Sequence, residues 1–249
     1  MNNIEKSFVN YAHRGASSYA PENTMLAFYT GIYMGANGIE TDVQITRDGV
    51  PVLFHDDNML RLTGVDGKIS DYTLEELKKF TFKKNSLCDK IATLEDFLNQ
   101  FSFRDITLAI EIKQAGIETR VAEMIRKYSA EKKTVITSFM LDSIRKTREC
   151  APELRTGFLT SSVSDALIEE LKQMGVTELC PNAEEITSES VIKWHACGFN
   201  VRAWGVKNEE HMKKVYDAGA DGMTVNFPDK LAKYINERSI NCNSVEQKA

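Results

Sequence analysis

The sequence predicts an α/β fold, a (β/α)8 TIM barrel with a compact insertion between the second and third main strands. Three observations lead there. The chain has 249 residues, close to the ~250 of a typical barrel of this kind. Short β-rich apolar runs alternate with amphipathic helical patterns along its whole length, the order expected of parallel βαβ units. Acidic and basic side chains stand at the ends of the strand runs, where a parallel barrel builds its sites.

Taken in order, the strand candidates are Phe8–Ala12, Gly38–Gln44, Ile106–Lys113, Thr134–Ser138, Leu154–Leu159, Glu178–Pro181, Asn200–Gly205 and Gly222–Val225. Between them, apolar residues recur at three and four over Glu22–Met34, Ile117–Tyr128, Leu141–Cys150, Ala166–Met174, Ser188–Cys197 and Glu209–Asp217. Gly35, Gly175, Gly198 and Gly219 fall near helix ends, where glycine forms the left-handed cap most easily. Residues 46–105 break this rhythm with a hairpin-like piece at Pro51–Phe54 and two short helical patterns, Leu74–Phe80 and Leu94–Phe101. No Pro/Gly/Ser-rich linker flanks this stretch, so it reads as part of a single domain over 1–249. The last dozen residues, from about Arg238, are polar and aperiodic and read as a frayed tail.

Composition narrows the function. A net charge of -5 and 42% hydrophobic residues oppose a general nucleic-acid binder, which needs a basic face. Cys88, Cys150, Cys180, Cys197 and Cys242 are scattered and never form a C-x-x-C pair, as expected of reduced thiols in the cytoplasm. The chain carries no leader pattern and no apolar run of the ~18 residues a membrane span needs. Oligomeric state is left open, a homodimer being one form it could take.

The chemistry gathers in the first half of the chain. His13 and Arg14 follow the first strand, Glu40 and Asp42 close the second, His55 and Asp56 follow the hairpin piece, and Glu111 and Lys113 close the third strand. Residues two apart on a strand share a face, so Glu40 with Asp42, and Glu111 with Lys113, point the same way. Three carboxylates without cysteine suit a hard divalent cation, Mg2+ or Ca2+. His13 and His55 are suited to removing one proton and donating another. Arg14 offers a planar fork to phosphate oxygens and Lys113 a point charge, although either could instead neutralise the carboxylates. His195 and His211 lie inside helical patterns and read as ordinary helix residues. Pro21-Glu22-Asn23-Thr24 reads as a helix start.

In this order, His13-Arg14-Gly15, Pro21-Glu22-Asn23-Thr24, Glu40-x-Asp42, Thr46-x-Asp48-Gly49, His55-Asp56, Glu111-Ile112-Lys113 and Trp204 resemble the glycerophosphodiester phosphodiesterase family over nearly the whole chain. The resemblance implies a TIM barrel that hydrolyses small glycerophosphodiesters to sn-glycerol 3-phosphate and an alcohol. It further implies His13 and His55 as the acid/base pair, Glu40, Asp42 and Glu111 as metal ligands, Arg14 and Lys113 at the phosphate, and Trp204 near the glycerol. Two stretches depart from the pattern. Gly205-Val206-Lys207 stands where the family often has Thr-Val-Asn, and Asn226 where an aspartate is common; both are expected on the substrate rim. Two other readings remain. A lysophospholipase D would need an apolar groove, for which Phe80, Phe82, Phe97, Phe101 and Phe103 are candidates, and a phosphodiester-binding barrel would lack turnover.

Overall fold

The computed structural model describes residues 8–246, with side chains over 8–240. Its elements in chain order are β1 (Val9–His13), α1 (Met25–Tyr33), β2 (Gly38–Ile45), β3 (Pro51–Leu53), α2 (Leu60–Thr63), α3 (Leu74–Leu77), β4 (Phe82–Lys84), β5 (Leu87–Asp89), α4 (Leu94–Phe101) and β6 (Thr107–Ile112). The second half follows a stricter alternation: α5 (Glu118–Lys127), β7 (Thr134–Ser138), α6 (Leu141–Cys150), β8 (Arg155–Thr160), α7 (Asp165–Gln173), β9 (Glu178–Pro181), α8 (Ser188–Ala196), β10 (Asn200–Ala203), α9 (Glu209–Asp217), β11 (Gly222–Val225) and α10 (Pro228–Glu246).

Eight parallel strands, β1, β2 and β6 to β11, pair in sequence, and β1 closes the ring by pairing with both β11 and β2. This is the predicted (β/α)8 barrel. Its strands are almost wholly buried because helices cover the outside and side chains fill the inside. Phe28 of α1 packs edge to face on Phe97 and Phe101 of α4, whose own rings are tilted to each other, with ring centroids 4.9–6.1 Å apart. Phe97 and Phe101 are therefore core, and Phe82 lies in a second cluster with Phe54 and Met59 under the insertion. Of the aromatics expected to line a groove, Phe103 alone is largely exposed.

The insertion is one small layer. β3 runs antiparallel to β2, with Val43 opposite Leu53, and returns the chain toward the C-terminal rim of the barrel. β4 and β5 form a hairpin that sequence reading did not identify, turned through Asn85 at φ 54°. The chain end also differs from expectation. α10 carries through Arg238, whose Nη2 donates to Asp217 Oδ2 at 2.8 Å and whose Nε donates to the Tyr234 hydroxyl at 3.0 Å. The residues read as a frayed tail are helical as far as Glu246, and at their start Arg238 pairs with Asp217 of α9, a contact that no apolar period announces. None of the described helices is long and apolar enough to cross a membrane.

Candidate active site

Strand register builds the site. His13, the last residue of β1, stands opposite Glu40 of β2, and Asp42 stands opposite Glu111 of β6. Because alternate residues face inward, these pairs meet at the C-terminal end of the barrel interior. One carboxylate oxygen from each of Glu40, Asp42 and Glu111 lies within 4.8 Å of the other two, and all three residues are buried.

The chain after β1 is bent to serve this cluster. Arg14 and Gly15 both take left-handed backbone, at φ 53° and 78°. A Cβ on Gly15 would sit 2.4 Å from the Ala27 carbonyl carbon, so only glycine fits there. The turn aims the Arg14 N–H at Glu40 Oε2, 3.1 Å away. Asn23, also left-handed at φ 55°, donates from Nδ2 to Asp42 Oδ2 at 2.9 Å and accepts from Thr41 Oγ1 at 2.8 Å. Thr24 does cap α1, accepting from the Ala27 N–H at 3.3 Å. The helix-start reading of Pro21-Glu22-Asn23-Thr24 is thus correct for Thr24 and too narrow for its neighbours.

A hard cation fits these residues. Asp42 Oδ2 is held by Asn23 and lies 3.3 Å from Arg14 Nε, yet buried Oδ1 has no partner. An unsatisfied buried carboxylate oxygen is costly, and here it belongs to a three-acid cluster with oxygen donors only. Burial, Asp42 and Glu111 together push the Glu40 carboxyl well above the usual range. Burial and Asp42 push Glu111 up to about 7. Lys113 tempers this from one side, donating to Glu111 Oε1 at 2.9 Å, and a bound cation would draw both groups back to the ionised form.

Both histidines line the same cavity of about 260 Å³, together with Arg14, Glu40, Glu111, Phe139, Arg202, Trp204 and Asn226. His13 Nδ1 lies 2.5 Å from Asn226 Oδ1. An amide oxygen accepts only, so this bond assigns the proton to Nδ1 and leaves Nε2 turned toward Glu40, 3.9 Å away. Burial and the Arg14 charge lower the His13 pKa from 6.5 to about 4. Asn226 was expected on the substrate rim; it instead holds the ring of His13, and as a neutral group it adds no charge to favour the imidazolium.

His55 reaches the cavity from the loop after β3. Gln44 Nε2 fixes that loop by donating to the Phe54 and Asp56 carbonyls at 3.1 and 2.8 Å. His55 Nδ1 meets Asp56 Oδ1 at 2.8 Å, which leaves Nε2 for the pocket. Trp204 is pinned by Nε1 donating to the Thr160 carbonyl at 3.0 Å, and its ring meets Phe139 edge to face at 4.9 Å. Lys207 is occupied, donating to Glu184 Oε1 at 2.7 Å on the exposed rim.

Arg61, Phe139 and Arg202 escaped sequence reading, and Glu22 and Asn23 were singled out there only within a helix-start motif. Arg202 had a signal, since a charged residue inside a barrel strand two positions before Trp204 must face the interior. Its Nε donates to Glu178 Oε1 at 2.6 Å and its guanidinium lies over Tyr11 at 5.0 Å. A larger open groove of about 820 Å³ lies at the opposite end of the barrel, by Phe8, Gly35 and Ile235. It is lined by no acidic, basic or histidine side chain among the described residues.

A closed barrel whose strand ends gather three carboxylates, two imidazoles and two cations defines a hydrolase-type centre. The model of the glycerophosphoryl diester phosphodiesterase family matches residues 13–230, and the chain belongs to that family of enzymes. It is 33% identical over 238 residues to a glycerophosphodiester phosphodiesterase of Caldanaerobacter subterraneus, covering 91% of this chain and 97% of that one. To the enzyme of the same name from Bacillus altitudinis it is 33% identical over 239 residues, covering 91% and 98%. Among solved structures, an Oleispira antarctica phosphodiesterase in complex with the product sn-glycerol-3-phosphate superposes with a TM-score of 0.81 at 27% identity, over 91% of this chain and 96% of that one.

Proposed function

We propose that the chain hydrolyses small, water-soluble glycerophosphodiesters, such as glycerophosphocholine or glycerophosphoethanolamine, to sn-glycerol 3-phosphate and the free alcohol in the cytoplasm. The observation that carries this reading is the convergence of His13, His55 and the carboxylate cluster on one cavity of about 260 Å³. Glu40, Asp42 and Glu111 would hold Mg2+ or Ca2+, which when bound neutralises the carboxylates and polarises oxygens beside the phosphorus. Arg14 and Lys113 meet the phosphate charge, and the pinned ring of Trp204 forms the wall for the glycerol.

The two imidazoles divide the proton traffic. One takes the proton of the glycerol C2 hydroxyl as its oxygen attacks phosphorus, and the other protonates the departing alcohol oxygen. Water then opens the resulting cyclic 1,2-phosphate with the two roles exchanged, giving glycerol 3-phosphate. His13, held neutral with Nε2 free, is suited to start as the base. With Phe82, Phe97 and Phe101 buried in cores, three of the five residues assigned to the acyl groove of a lysophospholipase D are not available to line it, which favours a short polar substrate.

The test is a product analysis with purified protein and glycerophosphocholine, in Mg2+ or Ca2+ and in chelator. Choline and sn-glycerol 3-phosphate are expected with cation only. Release of phosphocholine, or no turnover of any diester in either metal, overturns the reading.

A further inference from the structure

Arg61, on the short helix α2, ties together two parts of the site that are far apart in sequence. Its Nη1 donates to Glu22 Oε2 at 2.8 Å and its Nη2 to Glu22 Oε1 at 2.6 Å. On its other edge, Nε donates to Asp56 Oδ2 at 2.6 Å and Nη2 to Asp56 Oδ1 at 3.0 Å. Each of those carboxylates holds a residue of the cavity. Glu22 Oε1 accepts from Arg14 Nη1 at 2.8 Å, and Asp56 Oδ1 meets His55 Nδ1 at 2.8 Å. The chain of contacts therefore runs His55, Asp56, Arg61, Glu22, Arg14.

We propose that Arg61 is a positioning residue for diester hydrolysis, fixing the ring of His55 through Asp56 and the fork of Arg14 through Glu22. The inference rests on the function proposed above. A guanidinium suits the task because its donors lie in one plane and can grip two carboxylates on adjacent edges, which a lysine ammonium cannot do. The Arg61 side chain is 49% exposed, so these ion pairs add little to global stability. Their effect is local. Without Arg61, Asp56 keeps His55 but loses its other side-chain partner among the described residues, and the imidazole can turn with it. Arg14 likewise keeps Glu22, but Glu22 is then fixed by Arg14 alone. Alignment of an acid/base group within a few tenths of an ångström governs the chemical step, so the loss falls on turnover.

The experiment compares Arg61→Ala and Arg61→Lys with the wild type in steady-state kinetics on glycerophosphocholine, with thermal unfolding in cation and in chelator as control. Both variants are expected to lose roughly 10- to 100-fold in kcat, a range taken from partners that orient metal ligands from behind. The cation-dependent rise in Tm should stay at its wild-type value, because Arg61 touches none of Glu40, Asp42 and Glu111. Methylguanidinium should restore part of the Arg61→Ala turnover, and methylammonium at the same concentration should not. Wild-type kcat in Arg61→Lys overturns the proposal, and so does a folded Arg61→Ala that methylguanidinium fails to rescue. An inactive wild type refutes the underlying function instead, so the two failures are distinct.

Discussion

Replacing Glu111 by glutamine separates cation binding from a purely structural role of the acidic cluster, because the two have opposite signs. Without cation, burial and Asp42 push the Glu111 carboxyl from 4.5 up to about 7, against the pull of Lys113. A carboxyl with a raised folded pKa imposes no penalty below its unfolded value, and stability is lost as pH rises through the folded value. A rise from 4.5 to about 7 corresponds to ~3 kcal/mol at pH 8. Glutamine has the same shape, carries no charge and keeps an oxygen for Lys113, but weakens that ion pair. The net gain in chelator is then on the order of 1–2 kcal/mol. For a chain of this size, that raises Tm by roughly 2–8 °C. Cation reverses the order: at a hundred times its Kd it stabilises the wild type by ~2.7 kcal/mol, while a site short of one ligand responds weakly. Thermal unfolding at pH 8, in chelator and across a Mg2+ or Ca2+ titration, reads both effects. A variant less stable than wild type in chelator, with an equal response to cation, would refute the reasoning.

Three further outcomes follow from the same geometry. His13→Ala and His55→Ala should each lower kcat by ~10²- to 10⁴-fold while remaining folded, and the double variant should be little worse than the poorer single one; near-normal turnover of either removes that histidine from the mechanism. Asn226→Asp places a carboxylate against His13 Nδ1, where burial and Arg14 now hold the pKa near 4, so the acid limb of the kcat/KM profile should move to higher pH; an unchanged or lowered limb contradicts the contact. A substrate analogue lacking the glycerol C2 hydroxyl should bind but turn over at least about a hundredfold slower, a barrier rise of ~2.7 kcal/mol, and turnover near the normal rate eliminates internal attack.

The barrel was legible because its strands are buried on both faces and bounded by turn residues. Thr134–Ser138, Glu178–Pro181 and Gly222–Val225 begin and end where sequence placed them. Misplaced boundaries have local causes. The first helix begins at Met25 rather than Glu22, because Asn23 takes left-handed backbone to reach Asp42. The β4–β5 hairpin was hidden because Lys84 shares the face of buried Phe82 while Leu87 and Cys88 are exposed, which erases the alternation that marks a half-buried strand. The eight site residues read from sequence all lie in the cavity or within the contacts that surround it. What sequence could not give was the set of residues behind them. Arg61 and Glu22 are 39 positions apart, and Asn226 lies 213 positions from His13; no spacing rule connects such pairs, since the fold of the insertion brings the first together and closure of the ring between β1 and β11 the second.

That closure also explains why the site tolerates so much charge. Arg14, Lys113 and buried Arg202 stand around Glu40, Asp42 and Glu111, and each contributes an attraction that partly offsets the repulsion among the acids. The offset is incomplete, as the raised Glu40 and Glu111 carboxyls and the unpaired Asp42 oxygen demonstrate. A cluster fully neutralised by its own cations would have no affinity left for an ion, and one without them would be protonated and equally unreceptive at neutral pH. The arrangement here sits between these limits, since Lys113 spends its charge on Glu111 while Arg14 is shared between Glu22 and Asp42. Glu22 is the adjustable element in this balance. Burial would raise its pKa, but Arg61 and Arg14 outweigh that and hold it at about 2, so it stays anionic and draws part of the Arg14 charge away from the acids. The acids therefore keep carboxylate charge that their own cations leave unmatched, and Glu22, a carboxylate outside the cluster, shares Arg14 with Asp42.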